Sequence, residues 1–381
     1  MNKIMISQQE FEQVVEIRRH LHSIPQTGME LSKTCDYVCE QLDKSGIPYQ
    51  RFADSGMIAE IKGTLKESDA VVMLRADMDA LPIEEKTGLP YASQNGNMHA
   101  CGHDLHTAML IGTARKLFDI KDTFAGTVRL LFQAGEETGQ GAKFLFEKGA
   151  MQGVKMGMGI HMDPLRPVGQ ISAIVGPDWA SCDRFRISIK GKGGHGAMPH
   201  ECKDATLAAA AILMNIQSIV SRNCDPKKPL VITVGSFHSG NAYNIISGEA
   251  FLEGTCRCFD EDIYEKLPEM IETTAVHTAK AYGCTAELKY NRLISPLIND
   301  QDAWAMLKKT CEEHDIPFES RQSEMIAEDF AIYANEAPCI FAHLGAGGAL
   351  PLHNPEIIFE EESMINGMLA EIHFALNCLN S

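Results

Sequence analysis

Residues 70–82 read AVVMLRADMDALP, and this stretch decides the fold class. From Ala70 to Ala76 it is an apolar run without polar alternation, the pattern of a strand buried on both faces of a sheet. It runs into two alternating aspartates, Asp77 and Asp79, and then Pro82. Asp at a strand end commonly caps the next turn or helix. Working outward, helical apolar spacing covers 7–22 and 31–45, with Gly46-Ile47-Pro48 as a stop, and a strand is expected at 57–61. Beyond the opening stretch come a helix at 103–118, a strand at 126–133, a helix at 141–149 and a short apolar stretch at 156–161. This βαβ rhythm predicts an α/β layer with a largely parallel sheet.

The middle of the chain has a different order. Strands are expected at 184–190, 230–237, 250–258 and 286–290, with helices at 204–221 and 261–282. The sequence β-α-β-β-α-β is that of a ferredoxin-like split βαβ unit. After Ile294-Ser295-Pro296 the α/β pattern resumes, with helices at 300–313 and 361–379. The expected architecture is therefore α/β. A discontinuous domain (1–180 plus 293–381) is interrupted by an inserted ferredoxin-like βαββαβ domain at 181–292.

Composition narrows the function. The 381 residues are 45% apolar and 22% charged, and 34 basic against 51 acidic residues give a net charge of −17. That balance argues against nucleic acid and anionic membranes as partners, since both require basic patches. No apolar run reaches the ~18–20 residues of a membrane span, the longest being 205–214. Twelve cysteines in a chain of this length fall well below the disulfide-rich class, and the first residues show no apolar signal segment, so a reducing cytoplasm is expected.

Five stretches concentrate reactive side chains at strand and helix ends. In Met98-His99-Ala100-Cys101-Gly102-His103-Asp104-Leu105-His106, three histidines, a cysteine and an aspartate fall together where a loop enters a helix. Thiolate and imidazole are preferred ligands of zinc and the later first-row metals. Cys101 and His103 are the leading ligand candidates, with His99 and His106 behind them. Gly135-Glu136-Glu137-Thr138 follows a strand directly. Paired carboxylates there can divide metal binding from proton transfer, or simply form an acidic first turn favoured by the helix dipole. His161 closes the stretch at 156–161, and His353 follows the loop Gly345-Ala346-Gly347-Gly348. The fifth stretch is the opening one, with Asp77 and Asp79.

Taken in order, Arg75–Pro82, His99–His106, Gly135–Thr138, Gly159–His161, Gly191–Pro199, Asn244–Ser247 and Leu352–Pro355 resemble the motifs of the M20 metallopeptidases. The resemblance is to the aminoacylase, hippurate hydrolase and auxin-conjugate hydrolase branch, and it spans nearly the whole chain. It implies two divalent metal ions, zinc or manganese first and nickel or cobalt next, with ligands at Cys101, His103, Glu137, His161 and His353. It implies Glu136 as general base, Asp79 as the residue orienting a ligand, and His195 as an oxyanion donor supplied by the lid of a partner subunit in a homodimer. Asn244 and Arg257 are implied to bind substrate, Arg257 through its planar fork on a free carboxylate. The reaction implied is hydrolysis of the amide bond of a small N-acyl amino acid. A carboxypeptidase or dipeptidase is the alternative, and a metal-stabilised binding protein without catalysis is a further one. Two motifs depart from the family pattern, Ile24-Pro25-Gln26 where Pro-Glu is usual and Ile326-Ala327-Glu328-Asp329-Phe330 where Gly-Ser-Glu-Asp-Phe is usual. The second is expected near the substrate.

Overall fold

The computed structural model describes residues 4–380. The chain divides into two compact units. The first comprises Met1–Asp178, Ile298–Gln322 and Asp329–Ser381, and the second comprises Trp179–Leu297 with Ser323–Glu328. The short segment Ser323–Glu328, expected with the larger domain, packs instead with the second unit.

The first unit is built on an eight-stranded sheet. Its order is Tyr49–Arg51, Gly56–Lys62, Thr127–Gln133, Val71–Asp77, Val154–Asp163, Cys339–Gly345, Ile171–Ala173, Phe318–Ser320. The opening stretch lies at its middle: Val71–Asp77 pairs in parallel with Thr127–Gln133 on one side and Val154–Asp163 on the other. Every residue from Val72 to Asp77 is buried, as an unbroken apolar run requires. The sheet is mixed rather than largely parallel, because Gly56–Lys62 runs antiparallel to Thr127–Gln133 and Ile171–Ala173 antiparallel to Cys339–Gly345. Cys339–Gly345 was not among the expected elements, although all seven of its residues are buried and it lies parallel to Val154–Asp163.

The helix His103–Asp119 lies within this unit and buries residues on every side, so it shows little amphipathic contrast. Its neighbours are the helices Gln8–Ser23 and Ser363–Asn380. Gly112 permits the close approach: a Cβ there would lie 2.5 Å from Met368 Sδ and 2.8 Å from Val14 Cγ2. The departure at Gln26 has a local explanation. The helix Ser32–Lys44 has no side-chain cap from Leu31, and Gln26 Oε1 instead accepts the Thr34 amide at 3.0 Å.

The second unit has a four-stranded antiparallel sheet in the order Leu230–Ser239, Glu249–Cys258, Cys182–Lys190, Thr285–Ile294. In chain order that is 2-3-1-4, with helices Ala205–Ser218 and Glu261–Ala281 following the first and third strands. The apolar segment expected to be too short for a membrane span continues through a π turn to Asn223. At 19 residues it is long and apolar enough to cross a membrane by length and composition. Here Ala205, Ala208, Ala209, Ile212 and Ile216 form the buried face, part of the core of this unit with Phe185, Ile187 and Leu252.

One core charge yields a test of the fold. Glu371, 3% exposed, accepts the Thr113 hydroxyl on Oε2 at 2.5 Å, and burial pushes its carboxyl up to about 8. A folded-state pKa above the unfolded value of 4.5 means that stability is fully present below pH 4.5 and is lost as pH rises through 8. Glu371→Gln should therefore leave unfolding by urea nearly unchanged at pH 5. It should stabilise the protein progressively towards pH 9, by a few kcal/mol, on the order set by ~1.4 kcal/mol per unit. A constant difference across that range would contradict the assignment.

Candidate metal centre

The candidate residues meet at one edge of the large sheet. Val71–Asp77 runs on into Asp79, Thr127–Gln133 leads into Glu136 and Glu137, and His161 lies near the C-terminal end of Val154–Asp163. This is the edge where α/β sheets carry their sites. Cys101 and His103 flank Gly102, whose φ of +88° turns the chain into the helix. A side chain at 102 would also collide with Met162, at 2.8 Å from its Cγ. His353 adopts the left-handed conformation, φ +64°, with its amide donating to Ala100 O at 3.0 Å.

Two donor triads form there. Cys101, His103 and His161 make one, Cys101, Glu137 and His353 the other, and in each the ligand atoms lie within 4.8 Å of one another. Cys101 Sγ is 3.4 Å from His161 Nε2, and Glu137 Oε1 is 3.4 Å from His353 Nε2. Glu136 groups with His103 and Glu137, its Oε2 4.0 Å from His103 Nε2.

The ring orientations follow from their partners. His103 Nδ1 donates to the Asp79 carbonyl at 2.9 Å, and His161 Nδ1 donates to the Met162 carbonyl at 2.8 Å, so each ring turns Nε2 towards the donor cluster. The Asp79 carboxylate accepts the Glu136 amide at 3.0 Å and the Glu137 amide at 3.2 Å. Asp79 thus holds both glutamates and His103.

Two of the histidine candidates do not join the cluster as donors. His106 Nε2 accepts the Met162 amide at 2.9 Å and its Nδ1 donates to Asp77 at 2.6 Å, so both nitrogens are engaged although Asp77, His103 and His106 lie close together. His99 belongs to none of these triads. Its ring is buried with neither nitrogen hydrogen-bonded, and burial lowers its pKa to about 3.

The field of the site favours a cation. Burial disfavours charge on His103, but Asp77, Asp79 and Glu137 outweigh it and push the ring up to about 10. Burial would raise Glu137, yet His353 and His103 hold it below the usual carboxylate range. His161, desolvated and beside His106, stays neutral with its pKa well below the usual value. His103 Nε2 is buried without a hydrogen-bond partner. A buried imidazole nitrogen without a hydrogen-bond partner, close to a thiol and carboxylates, fits a bound divalent metal.

The other candidates lie in the second unit. His195 is exposed on the two-residue strand Gly194–His195, and its Nδ1 accepts the Ala197 amide at 3.1 Å, which leaves the neutral ring's proton on Nε2. The Asn244 carbonyl accepts the Gly196 amide at 2.9 Å. Arg257 Nη1 donates to Met325 O at 3.1 Å. Asp329 is buried in the first unit, with a carboxylate oxygen within 4.8 Å of one of Glu136. It accepts from Arg75 at 2.9 Å, from Gln133 at 2.8 Å and from the Ala142 amide at 2.9 Å. Arg75 also donates to Asp77 at 2.6 Å. The motif Arg75–Pro82 alone assigns no role to Arg75, and Gln133 has no signal, but an arginine within an apolar buried run is itself the mark of a paired internal charge.

Comparison with known proteins agrees with this geometry. Residues 73–377 match the model of peptidase family M20/M25/M40. The chain is 36% identical over 356 residues to an N-acetyl-L-cysteine deacetylase of Bacillus subtilis, covering 93% of this chain and 85% of that protein. It is 41% identical over 289 residues to an N-acyl-L-amino acid amidohydrolase of Geobacillus stearothermophilus, covering 75% and 78%. A solved Bacillus subtilis structure, described as a dinuclear metal binding peptidase from the M20 family, superposes with a TM-score of 0.89 at 32% identity. That alignment covers 98% of this chain and 99% of the other. With a matching model over most of its length and relatives of this similarity, the chain belongs to peptidase family M20/M25/M40.

Proposed function

We propose that the chain is a dinuclear metal-dependent amidohydrolase that cleaves N-acyl amino acids to a carboxylic acid and a free amino acid. The observation that carries this reading is that Cys101 belongs to both donor triads. A single thiolate shared by two ligand sets is an arrangement for two adjacent cations. In this reading Cys101, His103 and His161 hold one and Cys101, Glu137 and His353 the other, with zinc or manganese suiting the donors best and nickel or cobalt next. The relatives' activities on N-acetylcysteine and N-acyl amino acids support the substrate class.

When bound, the metals supply Lewis acidity, polarising the amide carbonyl and making a water acidic near neutral pH. Glu136 takes the proton of the attacking water and delivers one to the departing amine. Asp79 fixes the Glu136–Glu137 backbone, so that one carboxylate is placed for proton transfer and the next for ligation. His195, with its Nε2–H free to donate, stabilises the oxyanion, while Asn244 and Arg257 bind the substrate's polar groups. Two features of the second unit support a homodimer in which it serves as lid and dimerisation domain. Leu230–Ser239 is an edge strand with Val231 and Phe237 exposed, and Leu207 and Met214 project from one face of the neighbouring helix. None of the twelve cysteines forms a disulfide, which suits a reducing cytoplasm.

Assaying metal-reconstituted protein against N-acetyl and N-benzoyl amino acids, with dipeptides alongside, tests the reaction. Preference for dipeptides would replace this reading with a peptidase. Cys101→Ala should weaken both metal ions, whereas His161→Ala and His353→Ala should each weaken one, as read by metal analysis after dialysis. Equal retention of two metals by Cys101→Ala would remove the shared-ligand assignment. Glu136→Gln should lower kcat by about 10²–10⁴ with both metals retained, and loss of metal would exchange the roles of the two glutamates. For His195, mixing inactive His195→Ala chains with inactive Glu136→Gln chains should restore about a quarter of the sites after random exchange in a C2 dimer. No recovery despite demonstrated exchange would place His195 outside the partner's site.

A further inference from the structure

We propose that His22 is a positioning residue, a buried imidazolium that ties the start of the metal-bearing helix to the loop supporting His353. The inference rests on the dinuclear reading above. His22 lies on the helix Gln8–Ser23, 1% exposed, and touches none of the donor atoms of the two triads.

Its charge state follows from geometry. His22 Nδ1 is 2.8 Å from Asp104 Oδ2 and Nε2 is 3.1 Å from Glu85 Oε1. The nearest group at each nitrogen is a carboxylate, which accepts, so both nitrogens donate and the ring carries a proton on each, while Arg18 Nη2 lies farther off, 3.5 Å from Nδ1. The Arg18 guanidinium opposes that charge, with Nε 2.8 Å from the same Asp104 oxygen, and Glu361 offsets Arg18 from 3.2 Å. Burial likewise opposes the charge, but Asp104 and Glu85 prevail and raise the His22 pKa. His99, whose ring centre is 6.3 Å away, remains neutral.

Asp104 immediately follows His103, so one arm of His22 reaches the first turn of the helix that begins the first triad. The other arm reaches a closed loop. Leu81 and Met98 exchange both backbone hydrogen bonds, at 3.1 and 2.9 Å, and so pinch off residues 82–97 as an Ω-like excursion. Within it Glu85 acts as an internal staple, accepting the Ser93 amide at 2.7 Å and the Thr87 hydroxyl. Arg18 adds a second tether through the Tyr91 hydroxyl at 2.7 Å. The residue after Glu85 donates the loop's outward bond: Lys86 N to Pro355 O, 2.8 Å, two residues beyond His353.

His353 needs that support. Its left-handed backbone costs a non-glycine residue free energy and persists only where neighbours hold it. Its side chain is half exposed, and its backbone segment is held by Ala100 O on one side and by the Lys86–Pro355 bond on the other. His161, in contrast, sits in the middle of the sheet and is fixed without help from the loop. Loss of the His22 clamp should therefore fall unevenly on the two triads, on the one containing His353.

The test is a titration of metal-free protein with Zn²⁺ against a competing chelator, for wild type, His22→Gln and Glu85→Gln. Wild type should bind two ions. Both variants should bind the first within about threefold of wild type and the second at least tenfold more weakly, with hydrogen exchange accelerated at 353–357. A purely structural role would lower both steps together or melt the metal-free fold. Glu85→Gln keeps the buried cation and removes one carboxylate, so it remains informative if His22→Gln does not fold. Equal weakening of both ions, or unchanged affinity for the second, overturns the inference. A wild type that binds fewer than two ions would instead overturn the dinuclear reading itself.

Discussion

The site depends first on a single residue that is itself a member of no donor triad. Asp79 takes two consecutive backbone amides, those of Glu136 and Glu137, on its two oxygens, while its own carbonyl takes His103. Successive residues in extended chain point to opposite sides. Pinning both amides to one acceptor instead fixes a tight bend in which the two glutamates reach the same cluster. Asp79 itself is placed by the strand Val71–Asp77 at the centre of the sheet. The buried network of Arg75, Asp77, Gln133 and Asp329 around that strand end keeps the position rigid by satisfying each buried charge with another.

Much of this was legible from residues 70–82 and the motifs in order. The apolar run located the central strand because burial on both faces leaves no alternation to mislead. The cluster around Cys101 was legible because soft donors rarely gather by chance. The individual roles of the three histidines there were not, since they depend on what faces each ring. His106 spends both nitrogens on Asp77 and the Met162 amide, and His99 faces no donor group, yet in sequence they resemble His103. Cys339–Gly345 is hard to read for a different reason. It is as apolar as the opening run and is flanked by Pro338 and the Gly345–Gly348 loop, but it holds His343 and lies far along the chain from its partner Val154–Asp163.

The late acidic motif serves the fold as well as the site. Asp329 reaches within 4.8 Å of the Glu136 carboxylate, and it also caps the helix Gly141–Glu147 through the Ala142 amide. The chain changes unit immediately before it, at Glu328. Likewise Gln26, which departs from the family's usual glutamate, keeps the amide-accepting oxygen that the helix end needs. In both cases the residue meets a backbone hydrogen-bond requirement at a helix start.

The left-handed backbone of His353 has an evolutionary consequence. Among L-residues, asparagine, aspartate and histidine enter that conformation several-fold more readily than the rest. The position must therefore satisfy two filters at once, a side chain able to donate to a soft divalent cation and a main chain able to turn the wrong way. Cysteine and glutamate pass the first and fail the second, and glycine does the reverse. The set of sequences that can drift through this position is accordingly far narrower than at Glu137, where the backbone imposes no such condition.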